Sequence, residues 1–303
     1  MPPTGGGANR ARGHSPDMDE GSSPITRVAR DLPLTEVPCP ACVEPTFEAK
    51  LVRNSFLFVE CRRCSTLYVR ARPLEEPLLR IYVRFPQLAN GREGQLTDDP
   101  KDGAREADYR LRRLLEFVKS GRLLDLGCGR GDFLVAANRH FDVQGVDIAP
   151  RLRPIASGLR VFKGQLEEAV FRDQSFDVVS AVEVIEHLFD PRRTFREISR
   201  VMKPRGFLLL QTGDADSLRA RLNLGTWTYL QPPIHLNVFS RHGLSRLATH
   251  FGFSQIKLWS FGRAPQRIPG RVDLWKSERL RPVLDWTALL GLIGPMYLWQ
   301  KVD

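Results

Sequence analysis

An α/β fold is the architecture this 303-residue sequence predicts: an open, mostly parallel sheet with helices on both faces, preceded by a small metal-bearing domain. Three observations carry that expectation. Four cysteines form two CxxC pairs near the start of the chain. Short apolar runs then alternate with helical patterns. One of those runs feeds a glycine-rich turn that opens a helix. The composition agrees, because 42% hydrophobic and 26% charged residues exclude wholesale disorder and collagen-like architecture. The net charge of +10 raises the prior for anionic partners without choosing among nucleic acid, nucleotide-linked substrates and acidic membranes. The charge is uneven: residues 240–303 hold ten Lys/Arg against four Asp/Glu.

Residues 1–30 are rich in Gly, Pro, Ser and charge, show no periodicity and read as a disordered tail. They contain no apolar core of a signal peptide. Residues 31–75 read as short strands around the cysteine pairs, with alternation in "FLFVE" and "TLYVR". Residues 76–107, with Pro77, Pro86 and a charged middle, read as a linker, and residues 108–303 as the main domain. From Asp108 the period changes. Leu111, Leu114, Leu115 and Val118 line one face of a helix, which Gly121 closes.

Apolar runs at Leu123–Leu126, Val143–Val146, Leu159–Phe162, Asp177–Ala181 and Phe207–Leu210 then read as buried parallel strands. Asp190 and Pro191 open a helix that places Phe195, Ile198 and Met202 inward. Ser240 opens another with Leu244, Leu247 and Phe251 inward. Two late strands, "SQIKLWSF" and "MYLWQKV", flank a lid-like insertion near 262–294. The longest uncharged apolar stretch, Trp286 to Trp299, has fourteen residues. A membrane-spanning helix needs about 20, so no span is expected and the cytoplasm is the expected location.

Cys39-Pro-Ala-Cys42 and Cys61-Arg-Arg-Cys64 are separated by eighteen residues. Two such knuckles brought together by a hairpin form a thiolate tetrahedron for zinc. Four thiolates leave no open coordination position, so a metal held there is structural. Two disulfides would be unusual in a cytosolic chain, and a redox pair needs only one CxxC. The fifth cysteine, Cys128, reads as a small packing residue.

The stretch "RLLDLGCGRGDFLVAANRHFDVQGVDIAP" carries the functional signal. A buried strand runs into Gly127-Cys128-Gly129-Arg130-Gly131, and a helix starts at Asp132. Glycines there let the backbone turn tightly and approach a ligand. Asp147, at the end of the next strand, can accept both hydroxyls of a ribose. A nucleoside ligand is the physical reading. The dinucleotide pattern GxGxxG would place its third glycine one residue later, with a pyrophosphate at the helix start. Asp132 would repel that phosphate and tolerate a cationic group. With Asp125 just before the loop, this favours a ligand carrying a sulfonium and an amino group over NAD.

The chain from about residue 105 onward resembles the class I S-adenosylmethionine-dependent methyltransferases. "LLDLGCGRG" is similar to their first motif, and Asp147 matches the acid that holds the ribose. "FDVVSAVEVIEHLFDP" and "VMKPRGFLLLQT" are similar to the motifs around their fourth and fifth strands. The resemblance implies a Rossmann-like seven-stranded sheet whose last strand, "MYLWQKV", is antiparallel. It implies cofactor contacts from Asp125, Gly127, Cys128, Gly129 and Gly131, from Asp147 and Ile148, from Gln165 and Leu166, and from Val182 and Glu183. Two positions depart from the pattern. Arg205 precedes Gly206 where two small residues are common, and Gln165 stands where an acid often binds the adenine amino group.

The whole chain resembles a narrower group, the zinc-ribbon methyltransferases of bacterial small-molecule biosynthesis. "WTYLQPPIHLNVFS", Trp227 to Ser240, is similar to their segment after the fifth strand. Sugar C-methylating members have a longer C-terminal part, which this chain lacks. The implied activity is methyl transfer to a small-molecule acceptor of biosynthetic or sugar-linked type, O-directed by default with C- or N-directed variants open, and with Trp227, Tyr229 and His235 lining the acceptor pocket. His187, at the exit of the fourth strand, and His235 are the candidate bases, and Glu183 and Glu186 lie in the same turn as His187. A ribbon-headed RNA methyltransferase is the alternative, although the arginines form no basic–aromatic stripe. A binding protein without activity is a third reading, opposed by the intact glycine loop and Asp147.

Overall fold

A computed structural model of the protein describes residues 31–88, 100–259 and 294–302. The expected tail over 1–30 lies outside them, as does nearly all of the 262–294 insertion with Trp275 and Trp286.

The chain begins with β1 (Leu34–Glu36). It continues through β2 (Phe47–Arg53), β3 (Phe56–Cys61), β4 (Leu67–Val69) and β5 (Ala71–Pro73). β2, β3 and β4 form an antiparallel meander, and β1 pairs with β5. Asn54 and Ser55 make the β2–β3 turn with φ of 48° and 66°, the left-handed pair that a two-residue hairpin requires.

Two helices follow, α1 (Glu75–Leu88) and α2 (Pro100–Leu114). The expectation of a linker over 76–107 therefore differs from the structure, and α2 starts before Asp108. Pro77 falls in the first turn of α1 and Pro100 opens α2, where a missing N–H costs nothing. Gly121 does not close a helix. It starts a strand with φ 133°, and a Cβ there would sit 2.7 Å from Asp177.

The main unit contains β6 (Gly121–Leu126), α3 (Asp132–Ala137), β7 (Phe141–Asp147) and β8 (Val161–Lys163). Next come β9 (Phe176–Val182), α4 (Pro191–Val201), β10 (Met202–Gln211) and the short α5 (Leu218–Leu222). β11 (Asn237–Val238), α6 (Arg241–His250), β12 (Phe253–Trp259) and β13 (Met296–Lys301) complete it. Seven strands form one sheet in the order β12-β13-β10-β9-β6-β7-β8. β13 is antiparallel to both neighbours, and the pairs from β10 to β8 are parallel, as the sequence led us to expect.

The two helix starts read from sequence are seen. Asp190 accepts from the backbone N–H of Arg192 and Arg193 at 3.0 and 3.2 Å, and Ser240 accepts from that of Gly243 at 2.8 Å. β10 reaches back to Met202, with a register break before Phe207 at which Arg205 adopts φ 62°.

The cysteine-bearing meander is not a free-standing head. β11 pairs with β4, so the second sheet runs β11-β4-β3-β2 and contains strands from both ends of the sequence. Cys39, Cys61, Cys64 and Tyr68 share one apolar cluster with Leu124, Phe195 and Leu244 of the main unit. Phe58, Val69 and Leu78 share another with Trp227, Leu230 and Leu236.

Candidate functional site

The C-terminal ends of the parallel strands meet at one edge of the main sheet, the place where such sheets present ligands. The glycine loop leaves β6 there with Gly127, Gly129 and Gly131 at φ 69°, 51° and 78°. The three serve different purposes. A Cβ on Gly127 would lie 2.4 Å from Val184 Cγ2, and one on Gly131 would lie 2.7 Å from Ala156 Cβ, so both are set by packing. A Cβ on Gly129 would meet only the Gly127 carbonyl, at 3.9 Å. That open flank is the cradle a close ligand needs.

Asp147 closes the cradle. Its Oδ2 accepts from Gly129 N–H at 2.8 Å and its Oδ1 from Ala149 N–H at 2.7 Å. Each oxygen keeps lone-pair capacity for a hydroxyl. Asp125 is buried beneath the loop and accepts from Ser180 Oγ at 2.7 Å, and burial pushes its pKa up to about 7. Cys128 is buried and packs against Gly145, the packing place read for it. Ile148 and Val182 are partly exposed at the same edge, whereas Leu166 is buried. Gln165 is already engaged, because its Oε1 accepts from Arg193 Nη2 at 3.0 Å. Asp132 differs from expectation more clearly. Arg153 Nε at 3.1 Å and Arg130 Nε at 3.4 Å neutralise its carboxylate, so its charge locks the loop instead of facing a cation.

Beside this cradle, the turn after β9 and the segment 227–237 build a second cluster. Glu183 sits at φ 52°, a left-handed conformation costly for a non-glycine residue, with its N–H held by the Gln211 carbonyl at 2.8 Å. Glu186 is fully buried. Its Oε2 accepts from Thr212 Oγ1 at 2.9 Å and its Oε1 from the Tyr229 hydroxyl at 2.7 Å. That hydroxyl in turn accepts from Gly213 N–H at 2.7 Å. Burial and the neighbouring Glu186 charge push Glu183 well above the usual carboxylate range. Burial pushes Glu186 the same way, but the two imidazoles and the hydrogen bonds from Glu183 and Tyr229 outweigh it and hold Glu186 below that range. Two buried carboxyls this close resist ionising together.

The rings of His187 and His235 lie 4.8 Å apart, and Tyr229 lies 4.4 Å from His235. His187 Nδ1 bonds the Ile234 carbonyl at 3.0 Å and His235 Nδ1 bonds the Tyr229 carbonyl. A carbonyl only accepts, so both rings carry a proton on Nδ1 and point Nε2 away from that bond. Burial, with help from His187, pushes His235 down to about 4. Glu186, His187 and His235 offer three ligand atoms within 4.8 Å of one another, a donor set for a divalent cation as well as for a proton.

The structure thus brings together His187, His235, Tyr229, Glu183 and Glu186. Trp227 lies behind this group. Trp227 is only 2% exposed and stacks behind Tyr229 at 5.3 Å, inside the cluster shared with the meander. Sequence reasoning passed over Thr212, Tyr82 and Arg72. Thr212 follows the last residue of β10, and the strand-end rule would have found it. Tyr82, whose hydroxyl bonds the Ile234 and His187 carbonyls, and Arg72 gave no sequence signal.

The four cysteines form the other candidate centre. Val43 N–H bonds the Cys39 carbonyl and Ser65 N–H bonds the Cys61 carbonyl, both at 2.9 Å. Val43 and Ser65 share left-handed φ of 61° and 56°, so the two knuckles have matching backbones. Sγ separations are 3.5 Å for Cys39–Cys64, 3.5 Å for Cys42–Cys61 and 3.6 Å for Cys42–Cys64. Zinc–sulfur bonds of about 2.3 Å in a tetrahedron give sulfur separations of about 3.8 Å, so the four thiols fit that ion.

Among the described residues, no helix is long and apolar enough to cross a membrane. Among curated proteins, the ubiquinone biosynthesis O-methyltransferase of Saccharophagus degradans is 37% identical over 105 residues. That segment covers 31% of this chain and 44% of the relative, less than half of its length. Among solved structures, the 1,6-didemethyltoxoflavin-N1-methyltransferase of Burkholderia thailandensis, with bound 1,6-didemethyltoxoflavin and S-adenosylhomocysteine, has a TM-score of 0.50 at 18% identity. The likeness covers 84% of this chain and all of that one. The cyclase SpnF has a TM-score of 0.51 at 16% identity, over 76% of this chain and 97% of the other. At such identities the likeness establishes the fold alone. The family described as Methyltransferase domain matches residues 101–258, more than half of the sequence, and the chain belongs to that family.

Proposed function

We propose that the protein transfers the methyl group of S-adenosylmethionine to a hydroxyl of a small-molecule acceptor in the cytoplasm. The observation that carries this reading is the juxtaposition at one sheet edge. An open nucleoside cradle at Gly129 and Asp147 adjoins a buried cluster of two carboxylates, a tyrosine and two imidazoles. The cofactor supplies an already activated methyl group, so positioning carries much of the acceleration. Asp147 holds the ribose hydroxyls, Gly129 admits the ligand against the backbone, and Asp125 faces the cationic amino acid end. Ile148, Leu166 and Val182 supply apolar contacts. Gln165 turns its carbonyl to Arg193, so any adenine contact uses its remaining capacity.

At the acceptor, Nε2 of His235 or His187 takes the hydroxyl proton. The Ile234 and Tyr229 carbonyls orient the imidazoles, and Tyr229 and Thr212 keep Glu186 fixed beside them. A second reading rests on the 4.8 Å spread of the Glu186, His187 and His235 donors: a divalent cation there holds the acceptor oxygen. The four cysteines hold one structural zinc ion.

The test is calorimetric titration with S-adenosylmethionine and S-adenosylhomocysteine, followed by mass spectrometry of candidate hydroxylated acceptors. Tight binding of both, with a gain of one methyl on an acceptor, supports the reading. Binding of NAD in their place overturns it. Turnover that depends on added Mg²⁺ while zinc content stays constant selects the cation reading over the base.

A further inference from the structure

Arg72 belongs to β5 of the cysteine-bearing part, yet its side chain ends behind the acceptor cluster. It is fully buried. Its Nε donates to the Val69 carbonyl at 2.8 Å, its Nη1 to the Phe189 carbonyl at 3.1 Å and its Nη2 to Asn237 Oδ1 at 3.1 Å. No carboxylate lies within ion-pair distance of it among the described residues. Burial alone pulls its pKa down to about 10. For stability, an apolar side chain of similar volume would do as well or better there. What only a guanidinium supplies is a planar fork that holds three oxygens on three chain segments at once.

Those segments lead to the site. Asn237 Nδ2 donates to the Leu188 carbonyl at 2.8 Å. The backbone N–H groups of Leu236 and Asn237 both donate to the Glu186 carbonyl, at 2.8 and 3.0 Å. Val69 N–H donates to the Leu236 carbonyl at 2.9 Å. The turn that carries Glu186 and His187 is thereby locked to the strand that follows His235, and Arg72 bridges both to β4. The bond from His187 Nδ1 to the Ile234 carbonyl, at 3.0 Å, closes the same loop from the site side.

We infer that Arg72 is a positioning residue of the acceptor site, setting the His187–His235 pair from the metal-bearing part of the chain through Phe189 and Asn237. The inference rests on the proposed reading of that pair as the acceptor-side machinery.

The experiment is long-range ¹H–¹⁵N spectroscopy of the histidine rings in the full-length protein, with His187 and His235 assigned from single substitutions. Wild type is compared with Arg72→Lys, Arg72→Ala and Asn237→Ser. Zinc content, thermal midpoint and S-adenosylmethionine affinity are measured on the same samples. The expected result is loss of the pure Nδ1–H pattern at His187 in all three variants, with S-adenosylmethionine affinity within about twofold of wild type. Guanidinium at millimolar concentration restores the pattern in Arg72→Ala only. Unchanged histidine spectra in folded Arg72→Lys or Asn237→Ser, with only a lower thermal midpoint, overturn the inference and leave Arg72 a packing residue. Should Arg72→Ala fail to fold, Asn237→Ser cuts the same link without removing a charge and decides the matter. Failure of the wild type to bind S-adenosylmethionine defeats the proposed function instead, and the histidine spectra still report on Arg72.

Discussion

The two halves of the proposed site are built in opposite ways. The cofactor half is local: Gly129 and Asp147 lie eighteen positions apart and touch directly, through one hydrogen bond from the loop after β6 to the end of the neighbouring parallel strand β7. The acceptor half is gathered from afar. Tyr229 reaches Glu186 from 43 positions away, Tyr82 reaches Ile234 from 152, and Arg72 reaches Asn237 from 165. A short motif can specify the first half wherever the sheet forms. The second exists only when the cysteine-bearing part has docked. Damage to the docked part should therefore fall on the chemistry, and damage to the glycine loop on binding.

The largest expected effect tests the acceptor half. His235→Ala or His187→Ala should lower turnover by about 10²–10⁴-fold, with S-adenosylmethionine affinity nearly unchanged. Steady-state kinetics beside calorimetry checks this, and a matched loss of cofactor affinity would break the separation of the halves. Next comes Asp147→Ala. Charge-assisted hydrogen bonds contribute about 1.5–3 kcal/mol. The variant should bind S-adenosylmethionine and S-adenosylhomocysteine roughly 10- to 150-fold more weakly by calorimetry, with the histidine spectra unaltered. Gly129→Val should do at least as much harm, because it fills the open flank of the loop.

Cys61→Ser comes third. Elemental analysis should find one zinc per wild-type chain and less in the variant. Cys61 shares an apolar cluster with Leu124 and Phe195, so the loss should be felt by the whole molecule. We expect a loss of about 3 kcal/mol or more, a fall in midpoint of roughly 6–12 °C by calorimetric scanning. A second transition, with the main unit melting as in the wild type, would instead show the cysteine part to be independent.

The smallest effect is a pH dependence. Asp125 has a pKa raised to about 7, so it is largely protonated at pH 6 and largely ionised at pH 8. A cationic ligand beside it favours the ionised form. Affinity for S-adenosylmethionine should then rise by up to about tenfold from pH 6 to pH 8 with release of a proton. Titrations in buffers of different ionisation enthalpy measure that proton. Asp125→Asn should flatten the profile, and an equal slope in that variant would assign the pH dependence to another group.

What could be read from sequence follows the same division. The glycine loop, Asp147, the caps at Asp190 and Ser240 and the paired CxxC knuckles are all short-range patterns, and each appears where expected. The burial of Trp227 behind Tyr229 has no sequence signal, because an aromatic beside a site motif reads the same whether it is exposed or stacked behind a neighbour. α1 is hidden by its prolines: Pro77 suits its first turn, and Pro86 falls in its last. Arg72 was unreadable, since in "YVRARP" it alternates like any surface residue on a strand. Only the fold reveals that its side of the strand faces another part of the chain. Asp132 was seen correctly as charged, but its partner Arg153 lies twenty-one positions on, and no local rule pairs them.

The pairing of β11 with β4 also orders events in time. Leu67 waits for Val238, which is made roughly 170 residues later. At a synthesis rate of about 5–20 residues per second, that is a delay of about 10–30 s. During that interval the newly made meander exposes the unpaired edge of β4, along with Phe58 and Val69, which will later be covered by Leu230 and Leu236. The thiols at Cys39 and Cys64 spend the same interval without the packing that finally encloses them. For this protein, the protection of free thiols and the capture of nascent chain are problems of the ribosome exit, met well before the main sheet is complete.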